Sequence, residues 1–363
     1  MNEPTEWIDV GSADEFKRVS LREAKLGERR VAVSYQDGKF GVISNTCNHV
    51  GGPLGKGRLD GEFVVCPWHQ YKFHRCTGEG EPGYEADKVP GYGVREENGR
   101  LLVSAKPASK RGHLPHAPHP LSRATDRAPG PLRVGGISTT VMDVKNPRFS
   151  TSEHLLGVAL EHARTTLGAE TKMIKLNELK FRHCEGYYSK AAKACTWPCS
   201  ITQMDQADEL TPVYEMAVHW ADVLLISTPI RWGAASSMYY KMVERLNCIQ
   251  NQITIHNKVL IRNKVAAFII TGGQDGIQAV AGQMMGFFSE IGYLLPQFPF
   301  IAHSLGWEFE QMERNVEIVE ASEALRAGAR ELVGRAAGMS RCLLEQHLVT
   351  HGSIETGGRK ASA

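Results

Sequence analysis

At 363 residues with 42% hydrophobic side chains, the chain can fill two ordinary cores and has no compositional sign of disorder. Its 42 basic and 40 acidic side chains leave a formal charge of +2, so no long-range field draws it to nucleic acid or an anionic membrane, and neither is expected as a partner. The opening MNEPTEWIDVGSADEF lacks a basic stretch followed by an apolar one, no run reaches the roughly 18 apolar residues of a membrane span, and eight cysteines are too few for a disulfide framework; a cytoplasmic protein is expected.

Residues 1–106 read as short strands, WIDV, RRVAVSY, FGVISN, EFVVC and RLLVSA, separated by turn sequences such as QDGK and ENGR, with helical character from Ala13 to Lys25. This is the pattern of a small all-β domain. Residues 107–131 hold six prolines and read as an extended linker, in which His113, His116 and His119 are incidental polarity rather than a metal tract. From residue 132 strands and helices alternate: LRVGGI, a helix over Ser152–Leu167, TKMIKL, an irregular insertion, a helix over Asp208–His219, ADVLLISTPI, a helix through Met238–Leu246, KVAAFIITG, a helix through Ala279–Ile291, and FPFIAHSL. Near-continuous apolar strands between helices argue for a parallel sheet covered on both faces, a doubly wound α/β domain over residues 132–345. A last helix, VEIVEASEALRAGARELVGRAAG, can cover that sheet or an oligomer interface, and residues 346–363 form a tail.

Within the first domain, Cys47 and His49 precede Cys66 and His69 by a gap of sixteen residues, Val50 to Val65. Two Cys and two His can bind zinc. Here, however, each pair arrives on its own glycine- or proline-containing loop, CNHVGG and CPWH, an arrangement suited to a binuclear iron centre with sulfurs on one iron and nitrogens on the other. With Gly51, Gly52, Leu54 and CPWH, this part resembles a Rieske [2Fe-2S] ferredoxin domain. The resemblance implies that Cys47 and Cys66 hold the inner iron, and His49 and His69 the outer one. Gly52 and Trp68 stand where high-potential members have disulfide cysteines, and Phe73, near a position where they have a hydroxyl, cannot donate a hydrogen bond; a low-potential centre is implied. Gln70 replaces the family's usual glycine. His74 and Cys76 read as a polar surface residue and a spare thiol.

In the second domain three loops follow strands: GGISTTVMDVKNPRFSTSEHL, STPIRWGAASSMYYKMVERL and TGGQDGIQA. Hydroxyls at a helix start can cradle a phosphate or simply cap the helix, Pro229 and Gly233 fix a turn beside the aromatic plane of Trp232, and the last loop brings glycine backbone close to something. No G-x-G-x-x-G follows a strand, so a Rossmann-type dinucleotide site is not indicated. Together the loops resemble the flavodoxin-like, NAD(P)H-dependent FMN reductases and their iron-sulfur flavoprotein branch. The resemblance implies FMN contacts from Ser138, Ser150, Thr151 and Ser152, from Thr228, Pro229, Ile230, Arg231, Trp232 and Gly233, and from Thr271, Gly272 and Gly273, with Trp232 and Arg231 closest to the chemistry. About a dozen residues inserted between Ser138 and Ser150 depart from the family pattern.

The insertion HCEGYYSKAAKACTWPC offers Cys184, Cys195 and Cys199, a poor match to a [4Fe-4S] spacing unless His183 completes it, and reads as a cover near the flavin or a packed loop. His154, Glu161 and His162 do not share one helical face, which argues against a mononuclear iron site.

The combined resemblance implies an NAD(P)H-dependent flavin oxidoreductase that passes electrons between FMN and a Rieske [2Fe-2S] cluster. The other end of the route is a redox partner or a small aromatic or quinone-type substrate. Arg231 and Lys241 are candidates for steering the nicotinamide donor, and the family implies a homodimer or homotetramer. Two other readings stand beside it: an electron carrier or redox sensor without a substrate site, and a zinc-stabilised module fused to a flavin protein.

Overall fold

The hairpins read from QDGK and ENGR turn tightly: Asp37 and Gly38 have φ of 51° and 75°, and Asn98 and Gly99 of 49° and 72°, the positive values that a type I′ turn needs at both central residues. A computed structural model describes residues 6–114, 118–205, 207–272, 275–305 and 309–346. Two units emerge, Met1–Pro118 with Tyr187–Ala194, and His119–Gly186 with Cys195–Ala363.

The first unit contains β1 (Trp7–Ser12), α1 (Ala13–Lys17), β2 (Leu21–Leu26), β3 (Arg29–Gln36), β4 (Lys39–Ser44), β5 (Arg58–Asp60), β6 (Phe63–Val65), β7 (Lys72–His74), β8 (Tyr92–Glu97) and β9 (Arg100–Pro107). They form three antiparallel sheets, ordered β1-β9-β8, β2-β3-β4 and β5-β6-β7. Val31, Val33, Val42, Leu101 and Val103 close one core. Ile43, Leu54, Val64 and Phe73 close a second, which includes Cys47 and Cys66. The helical reading of Ala13–Lys25 fails after Lys17. LREAKL is strand β2, pairing Leu21 with Ser34 and Leu26 with Arg29 across a turn in which Gly27 has φ 61°. Its residues favour helix in isolation, and burial of Leu21, Ala24 and Leu26 against a neighbouring strand overrides that propensity.

The proline-rich segment is hydrogen-bonded at both ends. Ala108 N donates to Gly91 O at 2.8 Å, Gly112 and Lys88 exchange two backbone bonds of 2.9 Å, and Arg111 donates to Ser44 Oγ and Thr46 O at 3.1 Å, all within the first unit. In the second unit Arg127 grips Asp222 at 2.7 and 3.0 Å. His113 pairs with Asp87 and His119 caps a short turn, while His116 lies outside the described residues.

The second unit runs β10 (Arg133–Ser138), α2 (Thr151–Thr165), β11 (Glu170–Lys175), α3 (Ser200–Met204), α4 (Thr211–Tyr214), β12 (Val223–Pro229), α5 (Ser237–Arg245), α6 (Asn247–His256), β13 (Val265–Gly272), α7 (Ile277–Glu290), β14 (Phe300–Ser304), α8 (Phe309–Ala321) and α9 (Glu323–Gln346). All five strands are parallel in the order β11-β10-β12-β13-β14, the flavodoxin-like order, which reverses direction between β10 and β12. On one face Val223, Leu225, Val265, Ala267 and Ile269 pack with Leu155 and Leu156 of α2 and with Leu332, Val333 and Ala336 of α9. The alternate residues are equally buried on the other face, where Phe268 meets Phe288 of α7 at 5.5 Å. Helices on both sides explain why these strands are apolar throughout.

Three details differ from the sequence reading. The helix expected from Asp208 starts at Thr211 and passes after Tyr214 into a π-helical turn, Glu215–Trp220, because the Asp208 carboxylate is held by Arg245 in two 2.8 Å bonds. Helix α6 was not expected. The long last helix breaks at Ser322, whose Oγ accepts from Leu325 N at 3.2 Å and starts α9 afresh.

Candidate functional site

The first unit presents two loops of the same build. Between β4 and β5, Cys47 N donates to Gly52 O at 3.0 Å and Gly51 N to Cys47 O at 3.1 Å. Between β6 and β7, Cys66 N donates to Tyr71 O at 2.8 Å and Gln70 N to Cys66 O at 3.1 Å. Four residues beyond each cysteine the chain turns left-handed, at Gly51 (φ 84°) and at Gln70 (φ 59°). Gln70 therefore adopts the conformation a glycine takes without strain, and its Oε1 accepts from Arg58 at 3.3 Å. A Cβ on Gly52 would fall 2.7 Å from Cys66 Sγ and 3.2 Å from the Trp68 ring, so only glycine lets this loop close on the sulfur.

These loops bring all four predicted donors together as two pairs. The buried thiols of Cys47 and Cys66 hydrogen-bond to one another, pushing Cys66 down to about 7 and Cys47 up. His49 Nδ1 and His69 Nδ1 lie 2.8 Å apart, with ring centroids at 4.5 Å. The Tyr71 ring stacks on His49 at 4.7 Å, and burial, aided by Cys47, pushes its hydroxyl up to about 12. Burial lowers the pKa of His69, against the opposing pull of a hydrogen bond to Ala194 O. A pair of sulfurs and a pair of imidazole nitrogens suit a binuclear cluster with unlike ends. Among the described residues, no three His, Cys, Asp or Glu side chains are grouped as a mononuclear metal site requires. His74 Nδ1 accepts from Cys76 N and Thr77 N at 3.3 and 3.2 Å and so closes a turn.

In the second unit a cavity of about 710 Å³ opens beyond the strand ends, lined in part by Thr140, Arg148, Ser150, Thr151, Thr271 and Asn315. Of the predicted contacts, Ser150, Thr151, Pro229, Ile230, Arg231, Trp232, Thr271 and Gly272 are on its wall. Thr151 Oγ1 and Thr271 Oγ1 are 2.6 Å apart, tying the start of α2 to the end of β13. Ser150 caps α2, its Oγ accepting from Glu153 N at 3.4 Å. A helix N-terminus with hydroxyls and the Arg148 guanidinium suits an anion such as a phosphate. Trp232 is 87% exposed with φ 51°, and Arg231 beside it is exposed, its backbone joined to Ala234 by bonds of 2.7 and 2.9 Å.

Other predicted contacts are absent from the wall. Ser138 Oγ donates to Glu153 Oε2 at 2.8 Å, and Glu153 pairs in turn with Lys175, also at 2.8 Å. Ser152 is buried in the first turn of α2, Thr228 Oγ1 accepts from Ser236 N at 3.1 Å, and Gly233 (φ 70°) serves the turn. Gly273 lies outside the described residues. Lys241 sits 4.3 Å over the Phe181 ring. Thr140, Met142, Arg148, Phe149, Asn315 and Val316 were missed. The first four belong to the insertion after β10, and the last two come from α8, where no local motif marks them.

Cys184, Cys195 and Cys199 gain a neighbour in Cys248 of α6. A hydrogen bond with Cys248 and the nearby Arg245, whose Nε lies 3.3 Å from Cys199 Sγ, push Cys199 down to about 5 against its burial, whereas burial raises Cys195 to about 11. Glu161 pairs with Arg164 at 2.6 Å.

Residues 6–93 match the family model of the Rieske [2Fe-2S] domain, and residues 144–305 match that of NADPH-dependent FMN reductase. The chain joins a Rieske [2Fe-2S] domain to an NADPH-dependent FMN reductase domain. The Rieske domain is 31% identical over 98 residues to the ferredoxin component of the 2,4-dinitrotoluene dioxygenase system of Burkholderia sp. (strain RASC), covering 27% of this chain and 93% of that protein. It is 39% identical over 77 residues to the Rieske domain-containing protein of Homo sapiens, covering 20% of this chain and 49%, about half, of that relative's length. Among solved structures, RosB with bound 8-demethyl-8-formylriboflavin-5'-phosphate aligns over 64% of this chain and 98% of its own at 18% identity and a TM-score of 0.46. The Rieske domain implies a [2Fe-2S] cluster, and the reductase domain implies FMN and NAD(P)H. No described helix is long and apolar enough to cross a membrane.

Proposed function

We propose that the protein is an NAD(P)H-dependent flavin oxidoreductase in which electrons pass between FMN and a Rieske cluster, with a redox partner or a small aromatic or quinone-type compound at the other end of the route. Cys47 and Cys66 would hold one iron and His49 and His69 the other, and the cavity of the reductase domain would hold FMN. The observation that carries this reading is the pairing of two thiols and two imidazole Nδ1 atoms in a chain whose second domain is an FMN reductase. Bound FMN supplies the exchange between a two-electron nicotinamide and a one-electron cluster.

The chain's residues have separate tasks. Arg148, Ser150, Thr151 and the start of α2 bind the phosphate, while the backbone of Ile230 and Gly272 shapes the wall against the ring. Trp232 offers an exposed aromatic face on which a nicotinamide or an aromatic acceptor can stack, and Arg231 supplies positive charge beside it. Tyr71 packs the His49 ring in place. The homodimer or homotetramer expected from the family, and a cytoplasmic location, belong to the same proposal.

Anaerobic addition of NADH or NADPH to the loaded protein tests it. Flavin bleaching followed by reduction of the cluster signal is the expected result. A flavin inert to both donors would overturn the reductase reading in favour of a carrier or sensor, and zinc in place of iron would overturn the cluster.

A further inference from the structure

Residues Tyr187–Ala194 belong in sequence to the insertion after β11, yet they form part of the first unit. Three contacts seat them there. Ala194 O lies 2.7 Å from His69 Nε2, the Tyr187 ring meets the His69 ring nearly at right angles with centroids 5.9 Å apart, and Lys190 Nζ donates to Pro67 O at 3.2 Å while lying 4.8 Å from the centre of the Tyr187 ring. A carbonyl oxygen only accepts, so Nε2 carries the imidazole proton and Nδ1 keeps its lone pair toward His49. That is the tautomer a metal-bound imidazole needs, with its outer N-H held by a carbonyl. His69 is left 1% exposed, under a Tyr187 that is itself buried.

We propose that Tyr187–Ala194 is a built-in partner of His69: it fixes the tautomer of this ligand through Ala194 O, takes up the outer edge of the ring, and closes it to any separate redox protein. Exchange with such a protein then cannot run through His69. Ala194 and Tyr187 are positioning residues in this scheme. The inference rests on His69 being a cluster ligand, as in the proposed function.

Diethyl pyrocarbonate, which transfers an ethoxycarbonyl group to an accessible imidazole nitrogen, tests the cap on the full-length, iron-loaded protein, with His69 followed by peptide mass spectrometry. Iron on Nδ1 and the proton on Nε2 slow this reaction whether or not the ring is covered, so the cap is read against the wild type: Lys190→Ala should raise the His69 rate about threefold and Tyr187→Ala about tenfold. Iron content should hold, while the EPR g-values of the reduced cluster shift in Tyr187→Ala, a change that lost packing remote from the ligand would not produce. The cap is refuted if both variants stay within about twofold of wild type. Should Tyr187→Ala fail to load iron, the Lys190→Ala rate relative to wild type decides. A wild-type protein without a [2Fe-2S] spectrum refutes the ligand assignment instead, so the two failures are distinguishable.

Discussion

In the Rieske domain the candidate site consists of four side chains on two like loops, whereas in the reductase domain it is a wall drawn from the ends of β12 and β13, the insertion after β10, the start of α2, and α8. The first site draws its chemistry from atoms that only Cys and His carry. The second relies on backbone amides and hydroxyls, which every helix start and strand end can supply. The same residue types therefore do different jobs a few positions apart: Ser150 and Thr151 face the cavity, while Ser138 is turned to Glu153 and Ser152 is packed inside.

The contrast can be broken at either site. Cys66→Ser should have the largest effect, loss of the cluster's iron and visible absorption with flavin content unchanged, read by iron assay and spectrum. Retention of full cluster absorbance would mean that the side-chain pairs are not the site.

Next is the buried pair Arg245–Asp208, whose side chains are both 0% exposed. Asp208→Asn leaves the guanidinium without its countercharge and should cost the reductase domain about 3–5 kcal/mol in denaturant unfolding, with iron content unaltered. Burial alone would raise the Asp208 carboxyl, but hydrogen bonds from Arg245 and from Arg182 N outweigh it and the net shift is downward from 3.8. Its contribution is thus complete at neutral pH and fades only as the pH falls below 3.8 and through the lower folded value, so the gap between wild type and variant should close in acid.

The smallest effect sharpens the backbone side of the comparison. A Cβ at Gly272 would stand 2.9 Å from Ile230 Cβ and 3.2 Å from Ile230 N, displacing the loop that carries Arg231 and Trp232. Gly272→Ala should weaken FMN binding about tenfold, roughly 1.4 kcal/mol, in a fluorescence titration, with the Rieske spectrum intact.

Much of this was legible in the sequence for physical reasons. The strands of the reductase domain announce themselves because both faces are covered, and the Rieske donors because their spacing is local. LREAKL misleads because its helix preference is overruled by pairing with β3, and Asp208 because its side chain answers to Arg245, 37 residues away. Asn315 and Val316 reach the cavity from a helix that lies outside the matched family region, and Cys248 joins the other thiols from α6. No periodicity encodes such meetings.

Arg111 sits in a stretch that composition marks as mere connection, yet it donates to Asn48, Ser44 and Thr46, while Gly112 O accepts from Asn48 at 2.8 Å. The peptide that leaves the ferredoxin-like half thus buttresses the very bend that delivers His49. Anyone severing the two halves should cut beyond Leu114, because a cleavage at Lys106 would strip that buttress and leave a fragment with a slackened His49 loop.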